Sequence, residues 1–418
     1  VLNYKKFQLL FLKILIIFCL FNFLYSFISY FSPEKQFQNI VDNKNSSETL
    51  NINELSASFS NKNTNVKNIY FVLLDGMMSL QNAETFGIVS EDKINKNLNF
   101  VGIKYIDNSY SSYNFTHLTL ASIMEINYFN FEKHIEKYGG FYPVMLKQNK
   151  TIVPLPELIH SLGGKFYWLG NHEMPCLTIT NQPWDCVHIN KMSNIFRISR
   201  TIYATTPMNH FLNKLFNMYY TGGGKYETAT NDLDMHQRQL KYFMKSDFID
   251  PNEKKSKFTF IHQMSPHSPY KVKDDCSERV VPFNKVIQED KTTWIEEKAG
   301  YKASYRCVLK EIEKFNAFIS KNDPEAIIVF TSDHGEEQTV DFKDKPFYRS
   351  SIFNAIKAPE SCFNKYDNPR STINVVRFVI NCSYNLNIPY LPVIHYRSTD
   401  KNDPRFSGTD GKVLEYFY

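Results

Sequence analysis

In two segments of this chain, an apolar run is followed by residues that can bind a metal ion. The first is NIYFVLLDG, which contains Asp75, and the second is AIIVFTSDHG, which contains Asp333 and His334. Short runs of bulky apolar residues closed by glycine and polar residues are typical of buried strands in a parallel sheet. Because ligands bind outside the carboxyl ends of such strands, the three side chains should face one crevice. Two carboxylates and an imidazole at that place predict a divalent metal site.

Thr116 precedes a run without glycine or proline, residues 117–128, that predicts a buried helix. Threonine at a helix start is commonly an N-cap. The same position also suits catalysis, because free backbone N–H groups and the helix dipole attract anions there. A hydroxyl that touches a divalent metal loses its proton more readily and could attack phosphorus. The spacing alone therefore leaves two interpretations of Thr116, a helix cap and a nucleophile.

The elements that must position these residues alternate between strand-like and helical segments. Strand-like runs are IYFVLL, KFYWLG, KFTFIH and AIIVFT, and a helical stretch covers residues 301–318. Such alternation predicts an α/β fold with a doubly wound, mostly parallel sheet flanked by helices. We expect the catalytic domain at residues 66–395, after a flexible linker at 33–65 that is rich in Asn, Ser, Lys and Glu, and before a polar C-terminal tail at 396–418.

An apolar stretch at residues 7–31 contains only Lys13 as a charged residue and is long enough to cross a membrane as a helix. A secretory signal peptide is the alternative, but its apolar region is usually shorter and no small-residue cleavage site follows here. Lys5 and Lys6 precede the stretch, so the positive-inside rule places the N-terminus in the cytoplasm. We therefore expect residues 1–32 to be a cytoplasmic tip and transmembrane anchor, with the remaining chain on the outer side.

Charge and cysteine usage indicate which partners and compartment suit the chain. The net charge of +5 comes from 48 basic and 43 acidic residues without a basic run that would follow nucleic acid, so we expect no nucleic-acid partner. Cys19 lies in the predicted span. Sequential pairing of the other cysteines is the simplest pattern because it closes short loops, and buried free thiols are the alternative. These candidates for disulfides are Cys176, Cys186, Cys276, Cys307, Cys362 and Cys382.

The order of an Asp that closes the first strand, a Thr at a helix start, a PHxPY-like segment and finally SDHG resembles the alkaline phosphatase superfamily. The PHxPY-like segment is SPHSPY, and the segments FNAIKAP and STINVVRFVIN near the C-terminus add to the likeness. Within the superfamily, the chain is most similar to membrane-anchored, sulfatase-like hydrolases and transferases of the bacterial cell envelope. These include phosphoethanolamine and phosphoglycerol transferases.

The resemblance implies roles for individual residues. It makes Thr116 the nucleophile and places His267 beside the phosphoryl or leaving-group oxygen of the substrate. His262 and His172 are weaker candidates for substrate binding, and a histidine satisfied at a strand end is the alternative for His262. Zinc or manganese suits this donor set best, with magnesium or calcium possible. The implied metal shell is Asp75, Thr116, Asp333 and His334.

The resulting hypothesis is a metal-dependent enzyme that transfers a phospho group of the phosphoethanolamine or phosphoglycerol type through a phospho-threonine intermediate. Its substrate would be a phosphoester of a cell-envelope lipid or a surface polysaccharide. It would reside in the bacterial inner (plasma) membrane, with a periplasmic or extracellular catalytic domain. A hydrolase of the same fold, either a phosphodiesterase or a sulfuric ester hydrolase, is the alternative, although the CxPxR-like segment of formylglycine sulfatases is missing. A non-catalytic surface component is less favoured, because it has no chemical reason to keep all four shell residues.

Overall fold

The computed structural model divides the chain into two compact units. One unit, Leu50–Asn190 with Glu227–Tyr418, contains every residue that the structure describes, and the other, Val1–Thr49 with Lys191–Tyr226, lies outside the described residues. The described residues are 52, 54, 55, 59, 66–113, 116–128, 153–170, 184–188, 239–245, 255–267, 270, 272–277, 293–336, 347–400 and 408–417.

Two predictions concern segments that precede the sheet. The transmembrane anchor predicted at residues 7–31 lies outside the described residues, and within the described part no helix is both long and apolar enough to cross a membrane. Of the predicted linker, residues 52, 54, 55 and 59 are described, and Ile52, Leu55 and Phe59 pack, partly buried, against the hydrophobic core. The domain boundaries remain a prediction.

A central seven-stranded sheet organises the described part of the chain. Residues Ile69–Leu74 form its middle strand, β1, which pairs in parallel with β5 on one side and β6 on the other, whereas β7 runs antiparallel to β6. The mixed α/β fold with a mostly parallel sheet, predicted from the sequence, is therefore confirmed. The other strands are β2 Lys104–Tyr105, β3 Lys165–Gly170, β4 Trp184–His188, β5 Lys257–Gln263, β6 Ile327–Ser332 and β7 Asn354–Lys357, and the order across the sheet is β2-β7-β6-β1-β5-β3-β4.

Helices cover both faces of this sheet. Alternate residues of β1 belong to separate hydrophobic clusters, with Phe71 in one and Val72 in the other. A strand covered on both faces must be apolar at every position, which explains the unbroken run IYFVLL. The helices are α1 Leu80–Thr85, α2 Glu91–Phe100, α3 Thr116–Glu125, α4 Pro154–Ser161, α5 Gln239–Lys245, α6 Thr293–Asn322, α7 Phe347–Ser350, α8 Glu360–Lys365 and α9 Thr372–Tyr384.

The C-terminal segment forms a hairpin that the sequence analysis did not predict. Strands β8 (Ile394–Asp400) and β9 (Gly408–Phe417) pair antiparallel as a separate two-stranded sheet. Their polar residues and glycines weaken the alternating pattern by which a half-buried strand is identified from sequence.

Two disulfides follow the predicted sequential pairing. Cys276 pairs with Cys307 and thereby ties the segment after β5 to α6, and Cys362 pairs with Cys382 and joins α8 to α9. The Cα atoms of the two pairs are 5.5 and 5.4 Å apart, which suits a disulfide. The third predicted pair, Cys176 with Cys186, lies outside the described side chains and remains a prediction.

Arg377 fixes the end of α3 to α9. Its Nε and Nη2 atoms donate to the carbonyl oxygen of Ile126 at 3.2 and 2.7 Å, and Nη1 donates to the carbonyl of Pro389. Ile126 follows α3 with a left-handed backbone (φ 52°), so its carbonyl is not part of the helix ladder. A cation at the carboxyl end of a helix also opposes the helix dipole. Arg377 therefore holds the far end of the helix that begins with Thr116.

We expect Arg377→Met to lower the free energy of unfolding by about 3 kcal/mol, because it leaves buried carbonyl groups without a donor. Urea unfolding of the variant measures this loss. Arg370→Met, at an exposed position, is the matched control and should change stability by less than about 0.5 kcal/mol. Equal losses in the two variants would contradict this role of Arg377.

Candidate active site

Four polar side chains meet where β6, β1 and β5 end side by side. Asp75 follows β1, Asp333 and His334 follow β6, and His262 is the penultimate residue of β5. These strands are neighbours in the sheet and run parallel, so their carboxyl ends share one edge. All four residues are buried, with at most 3% of the residue surface exposed. The predicted convergence of Asp75, Asp333 and His334 is therefore present in the structure.

The geometry of these side chains can hold a metal ion. Asp75, His262 and Asp333 each offer a ligand atom, and the three atoms lie within 4.8 Å of one another. Nε2 of His262 is 3.2 Å from Oδ2 of Asp75. Nε2 of His334 is 3.8 Å from Oδ1 of Asp75 and 3.4 Å from Oδ2 of Asp333. The two oxygens of Asp75 thus face different imidazoles.

The carboxylate of Asp333 is satisfied on one oxygen only. Its Oδ1 accepts hydrogen bonds from the backbone N–H groups of Gly76 at 2.9 Å and His334 at 2.8 Å. Its Oδ2 is buried and has no hydrogen-bond partner in the described part of the chain. A buried carboxylate oxygen without a donor costs free energy, and a bound cation would remove that cost. The residues present therefore fit a divalent metal.

The electrostatics of the two carboxyl groups point to the same conclusion. Burial acts to raise the pKa of Asp75, but His267, His262 and His334 together outweigh it and lower the pKa to about 2. Burial and the negative charge of Asp75 both raise the pKa of Asp333 above its ordinary value. The positive charge of the neighbouring imidazoles does not compensate both carboxylates. A cation between the two carboxylates would reduce their repulsion.

The orientation of His334 is set by its backbone surroundings. Its Nδ1 lies 2.6 Å from the carbonyl oxygen of Gly335. A carbonyl oxygen only accepts, so Nδ1 carries a hydrogen, and Nε2 is the ring nitrogen that faces Asp75 and Asp333 and could bind a cation there. A hydrogen bond of this kind on the second ring nitrogen is typical of metal-binding histidines.

Thr116 is the first residue of α3 and lies at the same edge of the sheet. Its Oγ1 is 3.3 Å from Nε2 of His334 and 3.5 Å from Oδ1 of Asp75. One turn later, the hydroxyl of Thr119 donates to the backbone carbonyl of Asp333 at 3.0 Å and so ties α3 to the loop after β6. Sequence analysis did not identify Thr119, because a buried threonine in a helix gives no distinctive pattern.

His267 lies at the rim of this group. Its ring centroid is 6.2 Å from that of His334, and the residue is only partly buried. The ring packs over Gly76, where an added Cβ would lie 3.6 Å from Cδ2 of His267. Its backbone N–H donates to the carbonyl of Met264 at 2.9 Å, which closes the turn after β5. His267 can therefore meet a ligand that approaches from solvent.

The remaining predicted residues have different outcomes. His262 was predicted as a weak substrate contact, but its complete burial beside Asp75 suits a metal ligand better. His172 lies outside the described residues. His395, in the C-terminal hairpin, is buried with Nδ1 2.7 Å from the carbonyl oxygen of Ser111, on the segment that leads toward α3.

Comparisons with known proteins give one family match and several distant structural likenesses. A family model described as Sulfatase matches residues 67–352, well over half of the chain. No curated protein sequence matches the chain. The C-terminal periplasmic domain of EcEptC from Escherichia coli, in a complex with Zn, shares 15% identity over 77% of this chain and 83% of that chain, with a TM-score of 0.44.

Two further solved structures have similar scores. The integral membrane protein lipooligosaccharide phosphoethanolamine transferase A (EptA) from Neisseria meningitidis is 12% identical over 77% of this chain and 56% of that chain, with a TM-score of 0.42. The lipoteichoic acid synthase LtaP from Listeria monocytogenes is 13% identical over 88% of this chain and 91% of that chain, with a TM-score of 0.41.

We expect Asp333→Asn to raise the stability of the metal-free protein at neutral pH while it weakens metal binding. A carboxyl group whose pKa rises on folding stabilises the native state below its unfolded pKa of about 3.8, and that contribution is lost as the pH rises through the folded pKa. The asparagine cannot ionise and keeps the acceptor for Gly76 and His334. Thermal unfolding in chelator should therefore show a higher Tm, and zinc titration should show a lower affinity.

Asp323→Asn is the matched control for this prediction. The Asp323 carboxylate accepts from the side chains of Asn68 at 2.7 Å and Tyr70 at 3.1 Å, before β6 begins and therefore at the opposite edge of the sheet. Its replacement should lower the Tm and leave zinc affinity unchanged. Wild-type zinc affinity in Asp333→Asn would place the metal elsewhere.

Proposed function

Because this chain belongs to the sulfatase family and is thus an enzyme acting on phosphate or sulfate esters, we propose that it transfers a phospho group by way of a phospho-threonine at Thr116. The observation that carries the proposal is the position of the Thr116 hydroxyl, 3.3 Å from His334 and 3.5 Å from Asp75. A hydroxyl beside residues that can hold a cation is the arrangement required of an activated oxygen nucleophile.

The metal would be held by Asp75, Asp333 and His334, with the hydroxyl of Thr116, and His262 would support Asp75 or complete the shell. When bound, a divalent cation would lower the pKa of the Thr116 hydroxyl and neutralise charge on the phosphoryl oxygens. Carboxylates combined with imidazoles favour zinc or manganese over magnesium or calcium. Asp75, Asp333, His334 and His262 are buried, so competing water would have little access to them.

Different residues of the chain would carry out different steps of the phospho-group transfer. The Thr116 hydroxyl would lose its proton to solvent, and its Oγ1 would bond to phosphorus as the ester bond of the donor breaks and the departing oxygen takes up a proton. His267 is suited to supply that proton, because it lies at the rim of the site and is only partly buried. The backbone N–H groups in the first turn of α3 would favour the anionic phospho group. Attack on phosphorus by an acceptor hydroxyl, which gives up its proton, would then break the bond from phosphorus to Oγ1, and Oγ1 would take up a proton to return Thr116 to its free form.

The threonine also bears on the choice between phosphate and sulfate esters. Formylglycine sulfatases convert a Cys or Ser in a CxPxR-like segment, and this chain has a threonine at the start of α3 and no such segment. We therefore favour phosphoesters as substrates. Attack by water on the phospho-threonine, in place of an acceptor hydroxyl, would make the same site a phosphodiesterase.

We place the catalytic domain in the periplasm or outside the cell, beside a lipid or glycan phosphoester. The disulfides Cys276–Cys307 and Cys362–Cys382 support an oxidising compartment. The anchor expected at residues 7–31 would hold the site near a lipid donor and raise its effective concentration, which favours transfer over hydrolysis. Phosphoethanolamine and phosphoglycerol are the groups that we propose for transfer.

Thr116→Ala should lower kcat on an activated phosphodiester by about 10³-fold or more, because it removes the attacking oxygen. Thr116→Ser should retain measurable activity, since a primary hydroxyl at the same helix start can also be activated. Ser122→Ala is the control on the same helix, because its hydroxyl donates to the carbonyl of Thr119 at 2.7 Å, within the helix itself. Wild-type rates in Thr116→Ala would show that Thr116 is only a helix cap and that water is the nucleophile.

Mass spectrometry of the full chain after incubation with phosphatidylethanolamine or phosphatidylglycerol tests the transferred group. We expect a phosphoethanolamine or phosphoglycerol adduct on the Thr116 peptide, and its absence from Thr116→Ala. His267→Ala should still form the adduct, but more slowly. Release of the group to water at the same rate with and without an acceptor hydroxyl would identify a hydrolase and contradict the transferase proposal.

A further inference from the structure

A tyrosine on α6 bridges the backbone segment that follows Asp75. The hydroxyl of Tyr301 donates to the carbonyl oxygen of Gly76 at 2.9 Å and accepts from the backbone N–H of Met78 at 3.2 Å. The residue is 4% exposed, so both bonds lie away from solvent. One hydroxyl therefore satisfies two buried backbone groups directly after Asp75, the proposed metal ligand.

Gly76 is held from its other side by Asp333. Its N–H donates to Oδ1 of Asp333 at 2.9 Å, which leaves Oδ2 of that carboxylate facing the site. Gly76 adopts a left-handed backbone (φ +71°), a conformation that glycine reaches without steric cost. A continuous set of hydrogen bonds thus runs from Tyr301 through Gly76 to the second carboxylate.

Tyr301 also contacts the loop after β5. The ring of Tyr270 lies 5.7 Å from that of Tyr301, and its hydroxyl donates to Glu336 at 2.9 Å in the loop after β6. Burial and the charge of Glu336 raise the pKa of Tyr301 well above its ordinary value, so the hydroxyl keeps the hydrogen that it donates. The loops after β1 and β5 therefore contact Tyr301 in the N-terminal half of α6, and the loop after β6 is joined to them through Tyr270.

We propose that Tyr301 is a positioning residue that fixes the Asp75 carboxylate relative to that of Asp333. The inference rests on the metal site proposed above, because this relative position is what the two ligands offer a cation. Without the hydroxyl, the segment from Gly76 to Met78 loses its two hydrogen bonds to Tyr301 and keeps the bond that the Tyr305 hydroxyl, also on α6, donates to the carbonyl of Met78 at 3.1 Å. The carbonyl of Gly76 then lacks the hydrogen bond that opposes its movement away from Asp333, and the mutual repulsion of the carboxylates favours that movement.

The test compares Tyr301→Phe with Tyr105→Phe in the full chain. Tyr105 is also a buried tyrosine, and its hydroxyl accepts from the N–H of Leu80 at 2.9 Å, farther along the same segment. Calorimetric titration of the chelator-treated proteins with zinc should show affinity lowered about 10- to 100-fold in Tyr301→Phe, as is usual when support of a metal ligand is removed. Tyr105→Phe should stay within about threefold of wild type.

Amide hydrogen exchange gives a second readout that needs no metal. The amide of Met78 should exchange slowly in the metal-free wild-type chain and fast in Tyr301→Phe, whereas the amide of Leu80 stays protected in both. Fast exchange of Met78 in the metal-free wild-type chain would overturn the inference even if Tyr301→Phe failed to fold.

The outcomes separate this inference from the proposed function. Equal losses of zinc affinity in Tyr301→Phe and Tyr105→Phe, or wild-type affinity in Tyr301→Phe, would overturn the positioning role and leave the metal site in place. A wild-type chain that binds no zinc or manganese would overturn the metal site, and the positioning role with it.

Discussion

Two buried carboxylates, Asp75 and Asp333, repel each other at the carboxyl ends of neighbouring strands, and much of the surrounding structure opposes that repulsion. Three imidazoles stabilise the charge of Asp75, and two backbone N–H groups hold one oxygen of Asp333. The free energy needed to bury both acids comes from the apolar strands on which they stand. The fold therefore gives this site an affinity for cations even before a cation is bound.

The same constraint explains why rigid elements surround the site. α3 is fixed near its start by Thr119 and beyond its last turn by Arg377, so its first residue has little freedom to move. The loops after β1, β5 and β6 all contact α6, directly or through one aromatic ring. Preorganisation of this type lets a nucleophile and its charge-stabilising groups keep their geometry while the substrate changes.

Sequence reasoning predicted the parts of the site that depend on local pattern. The unbroken apolar runs before Asp75 and Asp333 are dictated by burial on both faces of the sheet, and their carboxyl ends must then share an edge. It did not predict the roles of Tyr301 and Gly76, because these depend on contacts between residues far apart in the chain. His262 was only a weak candidate for substrate binding, with a satisfied strand-end histidine as the alternative, because the sequence of a strand end does not reveal how deeply its histidine is buried.

The central position of β1 has a consequence for how the chain is made. Gly76 and Asp333 are 257 residues apart, and β6, one of the two partners of β1, comes late in the chain. At a synthesis rate of about 5–20 residues per second, roughly 13–50 seconds pass before β6 can pair. During that interval the nascent chain carries an apolar strand with an open edge, which is prone to aggregation. Protection of this strand from other chains during synthesis should therefore affect the yield of active protein, in addition to the stability of the finished fold.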